Sequence, residues 1–348
     1  MADTLIYDGD VPNDQLTWVA REVPVPMEHA LRRVFPDRTI LDPTIRLAER
    51  VVKNRVAKFR TPDGHFTELA RDRAEVRELS FMMLGAKSNE SEWEWLQRRF
   101  AVYGGTNMQA LQNALYNDIE SLTNSVHNRL ELARGDALAD GILTIDEEGV
   151  KQTIDFGVPA EHKMVAPKLW SDTTGSYSKL DQLRAAQKVY RETNGFDPAG
   201  FIAPADLWST LLLDPEFRQY YSTAFGQPPM VGEDEARAVL SRYRLPSLLF
   251  TYDAQVDVDG VDTRILPADR LIFLPPGGTI GYTAWGICST AEELVNAPKT
   301  DFSWSDAPGI VGMVVKNANP PFSKHTYVDA TAMPIIDQPK KILTLKVL

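Results

Sequence analysis

A single long amphipathic segment dominates this sequence and limits the folds that the chain can adopt. Thr106 and Gln109 have the spacing of a helix capping box, and Gly141 is a suitable stop. Ending at Asp140, the helix would be roughly 50 Å long at about 1.5 Å per residue. So narrow an apolar stripe over such a length predicts a strut that lies across a sheet and is not the centre of a compact core. Its apolar residues recur every three or four positions: Leu111, Leu115, Ile119, Leu122, Val126, Leu130, Ala133 and Ala137.

The composition is that of an ordered globular chain with an acidic surface. The 348 residues are 43% hydrophobic and 24% charged, which allows two or three domains. The net charge of −11 argues against non-specific binding of nucleic acid over the whole surface. An acidic wall past which enclosed DNA slides would carry the same charge.

Three further features predict a protein that is made in a cytosol. Cys288 is the only cysteine, so no intrachain disulfide can form, and its apolar, strand-like surroundings predict a buried, inert thiol. The chain contains no run of about 18 apolar residues, so a membrane span is not expected. The first residues lack the basic and apolar regions of a signal peptide.

Residues 1–45 have weak periodicity and several prolines, and a short helix from Met27 to Val34 is the one element expected there. A segment with so few core positions predicts an extended arm that is ordered by lying on a partner. Apolar residues of this arm, Trp18 among them, would be buried by a neighbouring copy.

Residues 46–84 predict a long β-hairpin with few apolar side chains. The segments 56–60 and 65–69 alternate on either side of the turn Thr61-Pro62-Asp63-Gly64. Such a hairpin cannot fold alone, so it either docks on a neighbouring subunit or is a solvated edge. The candidate inter-subunit contacts are its charged residues Lys53, Arg55, Lys58, Arg60, Glu68, Arg71 and Arg73.

The rest of the chain mixes helices and strands, which indicates the α+β class. Residues 142–157 predict a hairpin, and residues 289–308 a loop. Further strands are expected at 201–203, 247–252, 271–274, 280–285, 310–316, 324–331 and 342–347, and helices at 91–102, 180–193, 204–213, 215–221 and 232–243.

No residue pattern predicts catalysis, a cofactor or a metal. The aspartates around Gly260 suggest a calcium loop, but an EF-hand would then need ligands at Gln255 and Leu266. A plain hairpin turn at Asp259-Gly260 is the better interpretation. The five histidines are scattered, and no nucleophile elbow is present. We therefore expect no catalytic, cofactor-binding or metal-binding residues, and not an enzyme.

The order of these pieces resembles the phage lambda major capsid protein E family, whose Hong Kong 97-type fold is shared by tailed-phage and herpesvirus shells. The resemblance rests on these stretches in this order: Leu132–Gly141 at the exit of the long helix, Ile154–Gly157, Trp170–Asp172 leading into Leu180–Leu183, Phe201–Trp208, Leu271–Gly277 and Met333–Pro339.

The resemblance implies a major capsid protein of a tailed double-stranded DNA bacteriophage, which assembles into hexamers and pentamers of an icosahedral shell around the genome. It implies the following parts: an N-terminal arm at 1–45, an extended loop at 46–84, a peripheral domain at 85–195 with a spine helix at about 107–140, an axial domain at 196–307, and a return to the peripheral domain at 308–348.

The expected partners are copies of the chain, a scaffolding protein, a portal and a decoration protein. The shell would enclose DNA without reading its sequence, would not involve a membrane, and would assemble in the host cytoplasm. A separate scaffold is expected because no long charged helical extension precedes the arm.

Three alternatives stay open at this point. Some capsids of this fold cross-link a loop lysine to an asparagine, and Lys53 or Lys58 with Asn317 or Asn319 would be the pair required. An encapsulin-like protein compartment uses the same fold but packages protein. A soluble metabolic enzyme is the third alternative, although no cluster of titratable residues supports it.

Overall fold

The structure, a computed structural model, describes most of the chain. The described residues are 4–6, 12–42, 44–50, 74–94, 96–97, 108–147, 149–172, 177–220, 232–297, 301–317 and 319–348. The helices are α1 (Asn13–Glu22), α2 (Met108–Asp140), α3 (Lys179–Asn194), α4 (Ala205–Leu212), α5 (Pro215–Tyr220), α6 (Glu233–Arg242) and α7 (Ser289–Asn296). Residues 92–94 and 96–97 are also helical.

The strands are β1 (Thr4–Ile6), β2 (Asp37–Thr39), β3 (Thr44–Arg50), β4 (Ala74–Ser80), β5 (Met83–Glu90), β6 (Ile142–Glu147), β7 (Val150–Asp155), β8 (Lys163–Val165), β9 (Gly200–Ala203), β10 (Ser247–Thr251), β11 (Gln255–Val258), β12 (Val261–Arg264), β13 (Arg270–Leu274), β14 (Gly281–Trp285), β15 (Val311–Asn317), β16 (Lys324–Ile336) and β17 (Leu343–Lys346).

The long helix α2 is confirmed: its 33 residues end at Asp140, and Gly141 follows in the left-handed region (φ +75°). The predicted cap at Thr106 lies outside the described residues. Toward the N-terminus, Ile119 and Val126 pack as the stripe predicts. The prediction that the helix is not the centre of a compact core is wrong for its C-terminal half. There Ala137 and Leu138 are fully buried in the largest core of the molecule.

A six-stranded sheet supports α2. Its order is β1-β15-β16-β14-β2, and β5 pairs with β16 in addition. The 13-residue strand β16 is shared along its length: residues 324–331 pair with β5, and residues 332–336 pair with β14. The sequence patterns do not predict β5 as a strand of this sheet. Its backbone pairs with a strand more than 200 residues away, which no local pattern reveals.

A second sheet has five strands in the order β10-β9-β13-β17-β8. Helices α3, α4 and α6 pack on it around a separate core that includes Tyr190, Phe201 and Phe273. The chain crosses between the two sheets several times. β17 and β8 lie in this sheet although they belong to predicted peripheral ranges, whereas β14, from the predicted axial range, lies in the six-stranded sheet. The peripheral and axial division remains a prediction, and its boundaries do not follow the sheets.

The N-terminal segment packs on its own chain, so the expectation that it needs a partner is wrong for residues 12–42. In place of the expected helix from Met27 to Val34, the chain forms α1 and a short 3-10 helix at Ala30–Arg33. Leu16 and Phe35 are fully buried. The strand β1 also pairs with β15 of the same chain.

Helix α1 is not predicted from the sequence, because polar residues lie on its buried face. Asn13 accepts a hydrogen bond from the Val314 N–H at 2.8 Å, and Thr17 exchanges hydrogen bonds with the backbone of Gly312. These side chains pair with backbone groups of β15, so their burial is compensated. In the sequence they interrupt the apolar stripe that identifies a helix.

The expected loop at 289–308 contains α7. Cys288 stands at the N-cap of this helix and not in a strand, which corrects that part of the prediction. Its burial is confirmed, and burial raises the pKa of the thiol to about 12. The predicted turn at Asp259-Gly260 is confirmed: it joins β11 to β12, and both residues have positive φ.

We predict that Gly135→Ala destabilises the subunit. A Cβ at this position in α2 would lie 2.2 Å from the carbonyl oxygen of Ile265, which is backbone and cannot move aside. Alanine favours an exposed helix by about 1 kcal/mol, but overpacking costs about 1–3 kcal/mol. Urea unfolding of the dissociated subunit should therefore show a lower midpoint.

Gly85→Ala in β5 is the matched control, because the nearest atoms to its added Cβ lie 3.9 Å away. Its midpoint should stay close to that of the parent. Equal midpoints for the two variants would contradict the prediction.

Candidate inter-subunit surfaces

The predicted hairpin is present at its base. β3 and β4 form an antiparallel ladder from Thr44–Ser80 to Arg50–Ala74, and they form a two-stranded sheet of their own. Ile45 is buried in the main core, and Leu79 packs against that core. The seven charged candidates Lys53, Arg55, Lys58, Arg60, Glu68, Arg71 and Arg73 lie outside the described residues. Their role in inter-subunit contacts stays a prediction.

The eighth candidate, Trp18, projects from the solvent side of α1 and is 47% exposed. The guanidinium of Arg21 lies 5.5 Å from its ring centroid and 5.6 Å from that of Phe302. Arg21 donates to the carbonyl oxygens of Ile310 at 2.9 Å, Asp306 at 2.5 Å and Pro308 at 3.1 Å. These bonds tie α1 to the segment 301–310.

Trp304 lies in that segment, between Phe302 and the Asp306 carbonyl that Arg21 contacts, and is 53% exposed. Sequence reasoning misses Trp304 as a candidate because the bond that joins its segment to α1 spans 285 positions of the chain, from Arg21 to Asp306. Trp304 therefore belongs to the segment that Arg21 ties to α1.

A buried charged pair lies on the C-terminal half of α2. Glu131 is 0% exposed and Arg134 is 2% exposed, and the two side chains bond at 3.0 Å. The second carboxylate oxygen of Glu131 accepts from the Leu31 N–H and from the Tyr252 hydroxyl, both at 2.8 Å. Burial and the Glu131 carboxylate both raise the pKa of Tyr252. The hydroxyl therefore stays protonated and keeps donating.

Arg134 completes the network on its other side. Its Nε donates to Thr283 at 3.0 Å, and its Nη2 lies 3.5 Å from the carboxylate of Asp37. That carboxylate also accepts from Trp285 Nε1 at 3.0 Å. The pair thus connects α2 with the N-terminal segment, with β14 and with the residue that follows β10. In the sequence it is visible only as two charges, three residues apart, beside the apolar stripe.

Two histidines, His29 and His127, are buried next to this pair. Burial lowers the pKa of His127 to about 4, with the positive charge of Arg134 as a second cause. Burial likewise lowers the pKa of His29. Both rings are therefore uncharged at neutral pH.

The remaining candidates do not assemble a chemical site. Asp253 accepts from the Ala205 N–H and pairs with Arg264, and Asp257 accepts from the Gly260 N–H in the β11–β12 turn. Within the described ranges, no three histidine, cysteine or acidic side chains are grouped so that they could hold a metal ion. In the same ranges, no helix combines the length and apolarity needed to cross a bilayer.

The asparagines of the possible cross-link are described. Asn317 ends β15 and donates to the Ser323 hydroxyl at 2.5 Å, while Asn319 is exposed. Their predicted partners Lys53 and Lys58 lie outside the described residues, so the cross-link stays a prediction.

Comparison with solved structures identifies the fold class. A prophage capsid protein from E. coli CFT073 superposes with a TM-score of 0.62 at 14% sequence identity, over 100% of both chains. A phage-related protein from Bordetella bronchiseptica RB50 gives a TM-score of 0.51 at 10% identity, over 95% of each chain. The α+β class and the tailed-phage capsid fold are confirmed. A search of curated proteins finds no match.

The profile of the phage major capsid protein E family matches residues 14–347. The chain therefore belongs to that family, as its resemblance predicted, and is a capsid component of a bacteriophage virion. The family is one of structural proteins.

We predict that the contributions of Glu131 and Arg134 to the free energy of unfolding depend strongly on each other. Arg134→Met leaves the Glu131 carboxylate buried without its counter-charge, which should lower the free energy of unfolding by about 3–5 kcal/mol. Adding Glu131→Gln removes that charge and keeps an oxygen to accept from Leu31 and Tyr252. The double variant should therefore be more stable than Arg134→Met alone in urea unfolding.

Lys188→Ala serves as the control for these variants, because Lys188 and Glu192 form an exposed ion pair at 3.8 Å. Its effect should stay below about 1 kcal/mol. Additive losses from the two changes in the buried pair would show that Glu131 and Arg134 do not depend on each other.

We predict that the subunit loses stability in mild acid because His127 binds a proton more readily in the unfolded state. Its folded pKa of about 4 lies below the unfolded value near 6.5. The unfolded state therefore binds more protons as the pH falls, and stability declines from about pH 6.5 to about pH 4. The full decline would be about 3 kcal/mol. The groups around the ring are Arg134, His29, Arg32 and Asp37.

His127→Asn should flatten this decline when unfolding midpoints are measured from about pH 7.5 to about pH 4.5. The carboxylates titrate equally in parent and variant, so the difference between the two curves isolates the histidine. Parallel curves would contradict the assignment.

Proposed function

We propose that this chain is the subunit of the icosahedral shell of a tailed double-stranded DNA phage, arranged as hexamers and pentamers. The observation that carries this proposal is the family match over residues 14–347. The superposition with the prophage capsid protein, which covers 100% of both chains, gives further support to a shell fold.

Exposed apolar side chains on several elements are available for contacts with neighbouring subunits. Among the described residues, large exposed apolar side chains occur on several separate elements. They include Trp18, Met27, Leu41, Met83, Trp93, Val165, Leu213, Val261 and Trp304. Burying such surface contributes about 25 cal/mol per Å². Each contact would be modest, and the shell would gain its strength from many copies.

The hairpin that begins with β3 and β4 would supply the charged part of these contacts. An exposed ion pair is worth about 0–1 kcal/mol, so a wrongly placed subunit can dissociate and rebind. In this proposal residues 50–73 lie across an adjacent subunit.

The acidic charge of −11 suits a wall that encloses DNA without binding it tightly. We further propose assembly in the host cytoplasm with a scaffolding protein and a portal, and a decoration protein on the outside. Membership in a phage capsid family favours DNA over the protein cargo of an encapsulin-like compartment. It equally disfavours a metabolic enzyme.

Electron microscopy of the purified full-length protein tests the proposal. We expect closed shells or ring-shaped capsomers, because the chain belongs to a family of phage capsid proteins. Particles recovered from infected or induced host cells should contain nuclease-protected DNA. A compact dimer at all concentrations would contradict the proposal, and shells that contain one protein cargo and no DNA would favour the compartment instead.

A further inference from the structure

Four polar side chains meet at the end of the β15–β16 hairpin, and we call them the serine cluster: Asn89, Asn317, Ser323 and His325. Ser323 directly precedes β16, and His325 follows it by two residues. Asn89 of β5 stands opposite His325 in the antiparallel ladder. At the end of β15, the Asn317 N–H donates to the Ser323 carbonyl oxygen at 3.1 Å. Strand register therefore brings together side chains from three neighbouring strands.

The hydrogen bonds within the serine cluster run in one direction. Asn317 donates its Nδ2–H to the Ser323 hydroxyl oxygen at 2.5 Å. The side-chain oxygen of Asn89 lies 2.8 Å from His325 Nδ1. Because an amide oxygen can only accept, Nδ1 carries the ring proton, and Nε2 of the neutral imidazole is an acceptor. The Ser323 hydroxyl lies 3.1 Å from Nε2 and therefore donates to it.

This arrangement is that of an activated nucleophile with its base. The hydroxyl of Ser323 donates to an imidazole, and the imidazole donates in turn to a fixed acceptor. The His325 ring can take the hydroxyl proton as the serine oxygen attacks an electrophile. Asn89 holds the ring in the tautomer that this transfer needs, and the Asn317 amide stabilises negative charge that develops on Oγ.

His162 provides a contrast within the same chain. Its Nε2 also lies close to a hydroxyl, that of Thr193, at 2.9 Å. That hydroxyl has a second acceptor, the Val189 carbonyl oxygen at 3.2 Å, and the His162 ring is fully buried. Burial lowers the pKa of His162, so this ring is a poor base. Ser323 and His325 are both half-buried, so a small reagent can reach them.

We propose that Ser323 is an acylation site that accepts the acyl group of an activated carboxylic ester, with His325 as its base and Asn89 as a positioning residue. A bond forms between Ser323 Oγ and the carbonyl carbon of the ester, and the bond from that carbon to the leaving oxygen breaks. The hydroxyl proton passes to His325 Nε2 and then to the departing oxygen. The inference goes beyond the proposed shell function and does not depend on it.

The chemistry of Asn89 sets the expected rate. A neutral amide orients the ring, but it does not offset the charge of the imidazolium as a carboxylate does. We therefore expect a slow reaction that leaves one acyl group on Ser323 of each subunit, without rapid turnover.

Acetylation of the purified full-length protein by p-nitrophenyl acetate tests the proposal. Acetylated peptides are quantified over time by mass spectrometry, and fragment ions separate Ser323 from the neighbouring Lys324. Ser125 is the internal control, because it is an exposed serine whose hydroxyl donates to the Leu122 carbonyl oxygen at 2.7 Å.

Ser323 should be acetylated at least about tenfold faster than Ser125, since general-base catalysis contributes about 10²–10⁴-fold. Equal rates at the two serines would overturn the proposal. Both rates are measured in the parent protein, so this result does not require any variant to fold. It is also separate from the microscopy, because the reaction is followed on the subunit whether or not shells form.

Variants then assign the roles within the serine cluster. His325→Gln should slow the acetylation of Ser323 about 10²-fold, and an unchanged rate would overturn the proposal. Asn89→Ala should slow it at least about tenfold, because the ring is no longer held in place. Asn89→Asp should restore at least the parent rate, since a carboxylate also accepts from Nδ1. An aspartate variant as slow as the alanine variant would show that Asn89 does not position the ring.

Ser88→Ala is the matched control for the variants of Asn89. Ser88 is the adjacent residue of β5, and successive side chains of a strand point to opposite faces of the sheet. Its rate of acetylation at Ser323 should stay within about twofold of the parent. Thermal unfolding by circular dichroism confirms that each variant is folded.

Discussion

The buried Glu131–Arg134 pair is the interaction on which the arrangement of this subunit depends. Placing two charges in a core is costly, and the cost is offset only when every polar atom has a partner. Here the partners come from different parts of the chain: Leu31, Tyr252, Thr283 and Asp37. Loss of any of these parts would leave a buried polar atom of the pair without its partner. The pair therefore makes the spine helix, the N-terminal segment and both sheets a single cooperative body.

The N-terminal segment and the hairpin have a similar sequence character, but they differ in how they attach to this cooperative body. The N-terminal segment from Asn13 to Thr39 is integrated, because its polar groups satisfy β15 and its apolar groups fill the core. The hairpin base formed by β3 and β4 is a sheet of its own, and Ile45 and Leu79 join it to the core. In the proposed shell, the cooperative body would set the shape of the subunit and the hairpin would make the reversible contacts.

Sequence reasoning succeeds where structure is local. The period of α2, its stop at Gly141 and the Asp259-Gly260 turn are all set by neighbours in the chain. Sequence reasoning fails where burial depends on residues that are distant in the chain. Asn13 and Thr17 are buried only because β15 offers them partners, and β8 and β17 join a sheet whose other strands lie far away in the chain. The charged hairpin is identifiable from composition, but the three bonds of Arg21 to the segment 301–310 are not.

The uneven charge of the chain fits the demands of a closed container. The chain carries a net charge of −11, which disfavours indiscriminate binding of DNA. Residues 51–73 depart from this balance, because they contain six basic and three acidic residues. In the proposed shell, contacts made by these charges would guide the encounter of subunits and would weaken with salt, whereas burial of apolar side chains would persist.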